Sequence, residues 1–217
     1  MDRYGGSGND ALKLHEAAGW PDLTLQEWDA FVASCIAEVT LRNQDKLLDV
    51  GCGPGAFMMS VLKLHDVEIS GVDISEDALR RCKRISPSGA YFQGDACEVL
   101  SRLESNSYDL VYTISVIQYM SLEETARLVE QMVRVSRSHV LVCDVIDEEK
   151  MANFHAFICE KMEVGETYRN KAIEGFSVYP KSFWKRFDGK IIENQPTSYV
   201  RGNHRYNVVI TKEDKNA

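Results

Sequence analysis

Three glycines at alternate positions, Gly51, Gly53 and Gly55, follow an acid, Asp49, in the apolar run Leu47-Leu48-Asp49-Val50. The run reads as a strand covered on both faces. Glycine reaches backbone angles that side chains forbid, and its missing Cβ lets a ligand rest on the main chain. Ala56-Phe57-Met58 then opens a helix whose free N–H groups and partial positive charge face the turn. Asp49 would be costly to bury unpaired, so a carboxylate there points to chemistry rather than packing.

Further polar residues recur at the ends of later apolar runs. Asp73 closes the alternating stretch Val67–Asp73, about 20 residues past the glycines, the separation expected of an acid that accepts ribose hydroxyls. Asp95 lies in Gly94-Asp95-Ala96 after a strand at 90–93, and Thr113, Ser115, Gln118 and Tyr119 follow a central strand at 109–114. In a parallel α/β sheet all of these fall at strand carboxyl ends, where ligands bind. A P-loop needs Lys and Ser/Thr after its last glycine, and Ala56-Phe57 stands there instead. The Gly51-x-Gly53-x-x-Ala56 pattern with Asp73 also suits a dinucleotide, so an NAD(P)-linked oxidoreductase is the alternative. That reading leaves Asp49 and Asp95 without a purpose.

Asp-Val-Gly-Cys-Gly-Pro-Gly at 49–55, Gly-Val-Asp-Ile-Ser at 71–75, the Gly94-Asp95-Ala96 corner and the stretch 108–120 together resemble the class I S-adenosylmethionine-dependent methyltransferases. The resemblance covers roughly 47–147. It implies an α/β, Rossmann-like sheet of seven strands, mostly parallel with an antiparallel last strand, helices on both faces and an N-terminal helical cap. It implies S-adenosylmethionine as cofactor, S-adenosylhomocysteine as product, and a small or medium metabolite, saccharides and natural products included, as acceptor. Asp49, Gly51, Gly53, Gly55, Asp73, Ile74, Asp95, Ala96 and Thr113 would hold the cofactor. Within that set Asp73 takes the ribose, Ile74 the adenine face, Asp95 the adenine amino group and Ala96 the ring edge. Tyr4, Trp20, Ser115 and Gln118 would line the acceptor site, and Tyr119 and Asp144 are the candidates for a general base. No metal is required. The Asn/Asp-Pro-Pro-Tyr motif of amino-group methyltransferases acting on DNA or glutamine is replaced by Thr113-Ile114-Ser115-Val116, which argues against those substrates. A non-catalytic relative that binds the cofactor while serving a partner protein is a further reading.

The elements that must position these residues are legible in the same chain. Asn9 or Asp10 can cap a helix reaching Ala18, and Thr24-x-x-Glu27 is a capping box for a helix to about Leu41. Helices are expected at 56–65, from Ser75 to about Arg84, and from the Ser121-x-x-Glu124 box to about Val135. Ser136-Arg137-Ser138 takes the place of the family's usual turn before a fifth strand at 139–145, and Asp147 begins the next helical segment. A helix from Met151 to Met162 and a substrate-side insertion at 164–180 precede a basic helix at 181–186 and two final strands. The division is a cap at 1–45, a cofactor-binding core at 46–147 and a substrate-side segment with the last strands at 148–217, all in one domain.

The totals agree. The 217 residues are 44% hydrophobic and 27% charged, which suits one globular domain with a substantial core. A net charge of −8 argues against a nucleic-acid backbone as partner. With no apolar run near 20 residues and no hydrophobic leader, a cytoplasmic protein without membrane contact is expected. The six cysteines form no C-x-x-C pair and read as packed thiols. Each of the five histidines reads as structural.

Overall fold

The computed structural model describes residues 14–21, 23–152, 154, 156, 175–193, 195–196 and 199–212. Tyr4, Cys159, the first helix's cap and most of the expected 151–162 helix and 164–180 insertion lie outside them.

Seven strands form one sheet in the order β3-β2-β1-β4-β5-β7-β6: β1 (Lys46–Val50), β2 (Glu68–Asp73), β3 (Tyr91–Gln93), β4 (Tyr108–Ile114), β5 (Ser136–Ile146), β6 (Lys190–Ile192) and β7 (Arg205–Thr211). The first five pair in parallel. β7 enters antiparallel between β5 and β6. The order reverses at β1, which flanks both β2 and β4, and this is the switch point where an α/β sheet opens a crevice.

Strand alternation divides the core in two. Leu47, Ile69, Leu110, Tyr112 and Leu141 pack on α1 (Leu14–Ala17), α2 (Leu25–Ile36), α3 (Ala56–Leu64) and α4 (Glu76–Ile85). Leu48, Val72, Val111, Val140 and Val142 face α5 (Ala96–Arg102) and α6 (Leu122–Val135). Both expected capping boxes form, at Thr24/Glu27 and Ser121/Glu124, and Ser75 caps α4.

Two expectations are corrected. α2 ends at Ile36 rather than near Leu41, because a tight turn takes over, held by the Asp45 carboxylate accepting the Arg42 N–H at 2.8 Å. No turn intervenes at 136–138. β5 begins at Ser136 directly after α6, and Arg137 pairs with Asp109 at the base of β4 instead.

β5 carries the main irregularity. Val142 pairs with Val208 and Val145 with Tyr206, so two residues, Cys143 and Asp144, stand opposite Asn207 alone. This is a β-bulge, the device that re-aims a side chain beside a site. Asp144 has φ +65°, and the Asn207 side-chain oxygen accepts its N–H at 2.9 Å, replacing the missing ladder bond.

Among the described residues no helix is long and apolar enough to cross a membrane, and no group of His, Cys, Asp and Glu side chains is placed to hold a metal ion.

Candidate active site

A cavity of about 730 Å³ opens at the carboxyl ends of β1, β2, β4 and β5, within the size range of small-ligand sites. One wall is the glycine turn. Gly51 and Gly53 have φ of +75° and +50°, and a Cβ on Gly53 would meet nothing within 4 Å, so its main chain lies open to a ligand. A Cβ on Gly51 would strike Val116 Cγ2 at 2.3 Å, which fixes glycine there for a second reason.

Asp73 completes this wall. One carboxylate oxygen accepts the Gly53 N–H and the other the Ser75 N–H, both at 2.8 Å. It thus holds the turn while lining the cavity, and a carboxylate has lone pairs to spare for further donors. Ile74 is 77% exposed on the same wall and offers an apolar surface to the cavity. Gly94, Asp95 and Ala96 also line it; Asp95 caps α5 by accepting the Glu98 N–H at 3.1 Å. The open cradle over Gly53, the exposed Ile74 and the carboxylates at Asp73 and Asp95 fit an adenosine-bearing cofactor.

Three of the expected cofactor residues stand elsewhere. Thr113 turns away from the cavity, as strand alternation demands once Ile114 faces it. Its hydroxyl is buried and donates to the Val50 carbonyl at 2.8 Å. Gly55 caps α3 at φ +86°, and a Cβ there would press on Ile85 Cδ1 at 2.7 Å and Cys82 Sγ at 3.1 Å. Its task is close packing of α3 on α4. Asp49 lies fully buried beneath the turn, with the buried Tyr112 hydroxyl facing its carboxyl group. Burial pushes its carboxyl from 3.8 up to about 8, with the Tyr112 hydroxyl opposing and the Asp73 charge adding.

The opposite wall is built from Ser115, Gln118, Tyr119, Asp144, Arg201 and Arg205. The Asp144 carboxylate receives the hydroxyls of Ser115 and Tyr199, and Arg205 Nη1 at 2.9 Å. Ser115 has φ +54°, so two residues of strained backbone meet across the ends of β4 and β5. Burial, then the Asp144 charge, pushes the Tyr199 phenol well up, so it remains a donor. A carboxylate committed to three donors, one of them a guanidinium, is placed to hold other groups rather than to take a proton. Tyr119 is 62% exposed at the rim, edge-on to Phe176 at 5.3 Å.

The N-terminal elements close the cavity. Trp20 lines it while packing at 4.9–5.0 Å on Trp28, Phe31 and Tyr199, with the Arg201 guanidinium 4.8 Å over its ring. Trp20 is therefore both a packing residue and a wall. Cys52 sits in the turn 3.6 Å from the Cys82 sulfur, and that neighbour and burial both raise its thiol pKa, so it is no nucleophile.

Arg201, Arg205, Tyr199 and Asn207 were not assigned roles by sequence. The β5–β7 pairing is what brings Arg205 to the cavity and Asn207 to Asp144.

Residues 47–139 match the family model described as "Methyltransferase domain". The chain is 31% identical over 113 residues to the uncharacterized methyltransferase YdaC of Bacillus subtilis, covering 51% of this chain and 58% of that protein. It is 28% identical over 115 residues to ajmaline N-methyltransferase of Rauvolfia serpentina, covering 49% of this chain and 38% of the relative. The chain thus spans well under two thirds of the length of these relatives. The magnesium protoporphyrin IX methyltransferase of Synechocystis, solved with bound SAH, superposes with a TM-score of 0.61 at 14% identity, covering 97% of this chain and 91% of that one. The family match covers less than half of the chain, and the superposition shows that the chain shares the Rossmann-like fold of S-adenosylmethionine-dependent methyltransferases.

Proposed function

We propose that the chain transfers a methyl group from S-adenosylmethionine to a small-molecule acceptor bound in the cavity at the carboxyl ends of β1, β2, β4 and β5. The observation that carries this reading is the convergence of Gly53, Asp73, Ile74 and Asp95 on one wall. S-adenosylmethionine supplies an electrophilic methyl group, so the protein's work is to align two reactants and exclude water. Such alignment is worth about 7–11 kcal/mol of barrier.

In this reading Gly51 and Gly53 offer bare main chain, Asp73 accepts the ribose hydroxyls, and Ile74 covers the adenine, whose edge meets Asp95 and Ala96. Ser115, Gln118 and Tyr119 face the acceptor, and Trp20 shields the reacting centre from water. Asp144 holds its neighbours in place instead of acting as base, and none of the described histidines lines the cavity. The cavity's size and the net charge of −8 favour a small metabolite over a nucleic acid. The relative named as an ajmaline N-methyltransferase points the same way.

Titration calorimetry with S-adenosylhomocysteine against NADH tests the reading. Binding of the thioether nucleoside alone is expected; binding of NADH alone would replace this assignment with the dinucleotide one.

A further inference from the structure

The acceptor wall has a fixed hydrogen-bonding polarity, and one ion pair sets it. Arg205 is 1% exposed and carries only donors. Its Nη1 reaches both Asp144 Oδ2 at 2.9 Å and the Gln118 side chain at 3.1 Å. Because guanidinium cannot accept, the Gln118 atom facing it must be the carbonyl oxygen, and the Gln118 amide nitrogen is turned to the other side. Gln118 is buried to 5% exposure and lines the cavity, with its carbonyl oxygen held by Arg205.

The same logic fixes Ser115. Asp144, paired with Arg205, can only accept, so the single hydroxyl hydrogen of Ser115 is spent on Asp144. What remains at Ser115 Oγ is lone pairs. The β5 bulge and the positive φ at Ser115 and Asp144 hold both side chains in this orientation, and Tyr199 and Asn207 brace it through the Asp144 carboxylate and N–H.

We infer, building on the methyltransferase reading, that Ser115 Oγ and Gln118 Nε2 form a specificity pair of opposite polarity. Such a pair selects an acceptor whose reactive atom carries hydrogen, a hydroxyl or an amine, beside a second atom that accepts a hydrogen bond. Ser115 receives the O–H or N–H and thereby turns the nucleophile's lone pair toward the methyl group, and Gln118 donates to the neighbouring atom. As the new bond to the methyl carbon forms, the sulfonium C–S bond breaks with its electron pair left on sulfur, and the methylated atom then gives up its proton to water. Arg205, Tyr199 and Asn207 are positioning residues for that pair. A tertiary amine or a thioether offers Ser115 no hydrogen and is disfavoured, since an unpaired buried acceptor is costly.

The test needs no identified acceptor. Sinefungin replaces the sulfur of S-adenosylmethionine by a carbon and the transferable methyl group by an amine, so its N–H bonds project from the methyl position into the acceptor site, toward the lone pairs inferred at Ser115 Oγ. Calorimetry should show the unaltered protein binding sinefungin at least about tenfold more tightly than S-adenosylhomocysteine. Ser115→Gly suits the positive φ, and it should erase the preference while keeping S-adenosylhomocysteine affinity within about twofold. Asp144→Asn, which can donate to Ser115 and so reverse its hydroxyl, should erase it too. A preference for sinefungin that survives in Ser115→Gly, or no preference in the unaltered protein, overturns the inference and leaves the methyltransferase reading standing. Failure of the unaltered protein to bind either nucleoside overturns both. S-adenosylhomocysteine binding reports folding in each variant, and Ser115→Gly alone decides the matter if Asp144→Asn does not fold.

Discussion

The Asp73 carboxylate accepts the Gly53 N–H at 2.8 Å, so the acid that ends β2 also fixes the turn that ends β1. Each oxygen is already paired with a main-chain amide. The residue therefore shapes the cradle and lines it, and its removal affects a ligand twice. Asp73→Ala is expected to weaken S-adenosylhomocysteine binding by at least about tenfold, which is ~1.4 kcal/mol. Calorimetry on the folded variant gives the number, and an unchanged affinity would place the ribose elsewhere.

Two glycines of the turn should respond differently. At Gly53 a side chain meets no protein atom, so Gly53→Val is expected to fold with only the penalty of a left-handed residue, roughly 1–2 kcal/mol, and to lose cofactor binding. At Gly55 even a methyl group strikes α4, so Gly55→Ala should lower the melting temperature more than Gly53→Ala does. Equal melting temperatures for the two alanine variants would contradict this division of labour.

Asp49 gives the protein a pH-dependent stability. Its folded pKa, about 8, lies above the ordinary 3.8. Between those values the folded state holds a proton that the unfolded state releases, so stability falls as pH rises through the window and levels off above about 8. Asp49→Asn removes this contribution. Urea midpoints taken at pH 5 and pH 8 should drop for the unaltered protein and drop less for the variant; parallel changes in both would show that Asp49 ionises normally.

Trp20 tests the cap. It is 3% exposed among three aromatic rings and under Arg201. Truncation to alanine is expected to cost about 3–5 kcal/mol and to open the cavity to water. Chemical denaturation measures the first effect, and a loss below about 1 kcal/mol would mean that the cap contributes little to the fold.

Much of the cavity wall around the glycine turn was legible in the sequence because its geometry is local. A strand, a glycine turn and a helix are contiguous, and the next strand returns one βα unit later, so Gly51, Gly53, Asp73 and Asp95 come with their spacing. Errors arose where parity decides. Thr113 and Ile114 are neighbours in sequence, yet only one of two successive strand residues can face the cavity. Gly55 has the turn's residue type, but what it touches belongs to α4, about 30 residues on. Arg205 and Asn207 stand some 60 residues from Asp144, and their meeting depends on strand register and on a bulge, neither of which leaves a local signature.

The antiparallel entry of β7 has a consequence for assembly. Because this strand runs against its neighbours, its opening residue, Arg205, arrives at the rim where the parallel strands finish. The wall that would discriminate among acceptors is thus assembled from two distant stretches, Ser115, Gln118 and Asp144 at the ends of β4 and β5 and Arg205 at the start of β7. Undocking β7 would leave the glycine turn and its Asp73 clamp in place while withdrawing the cation that Asp144 and Gln118 share.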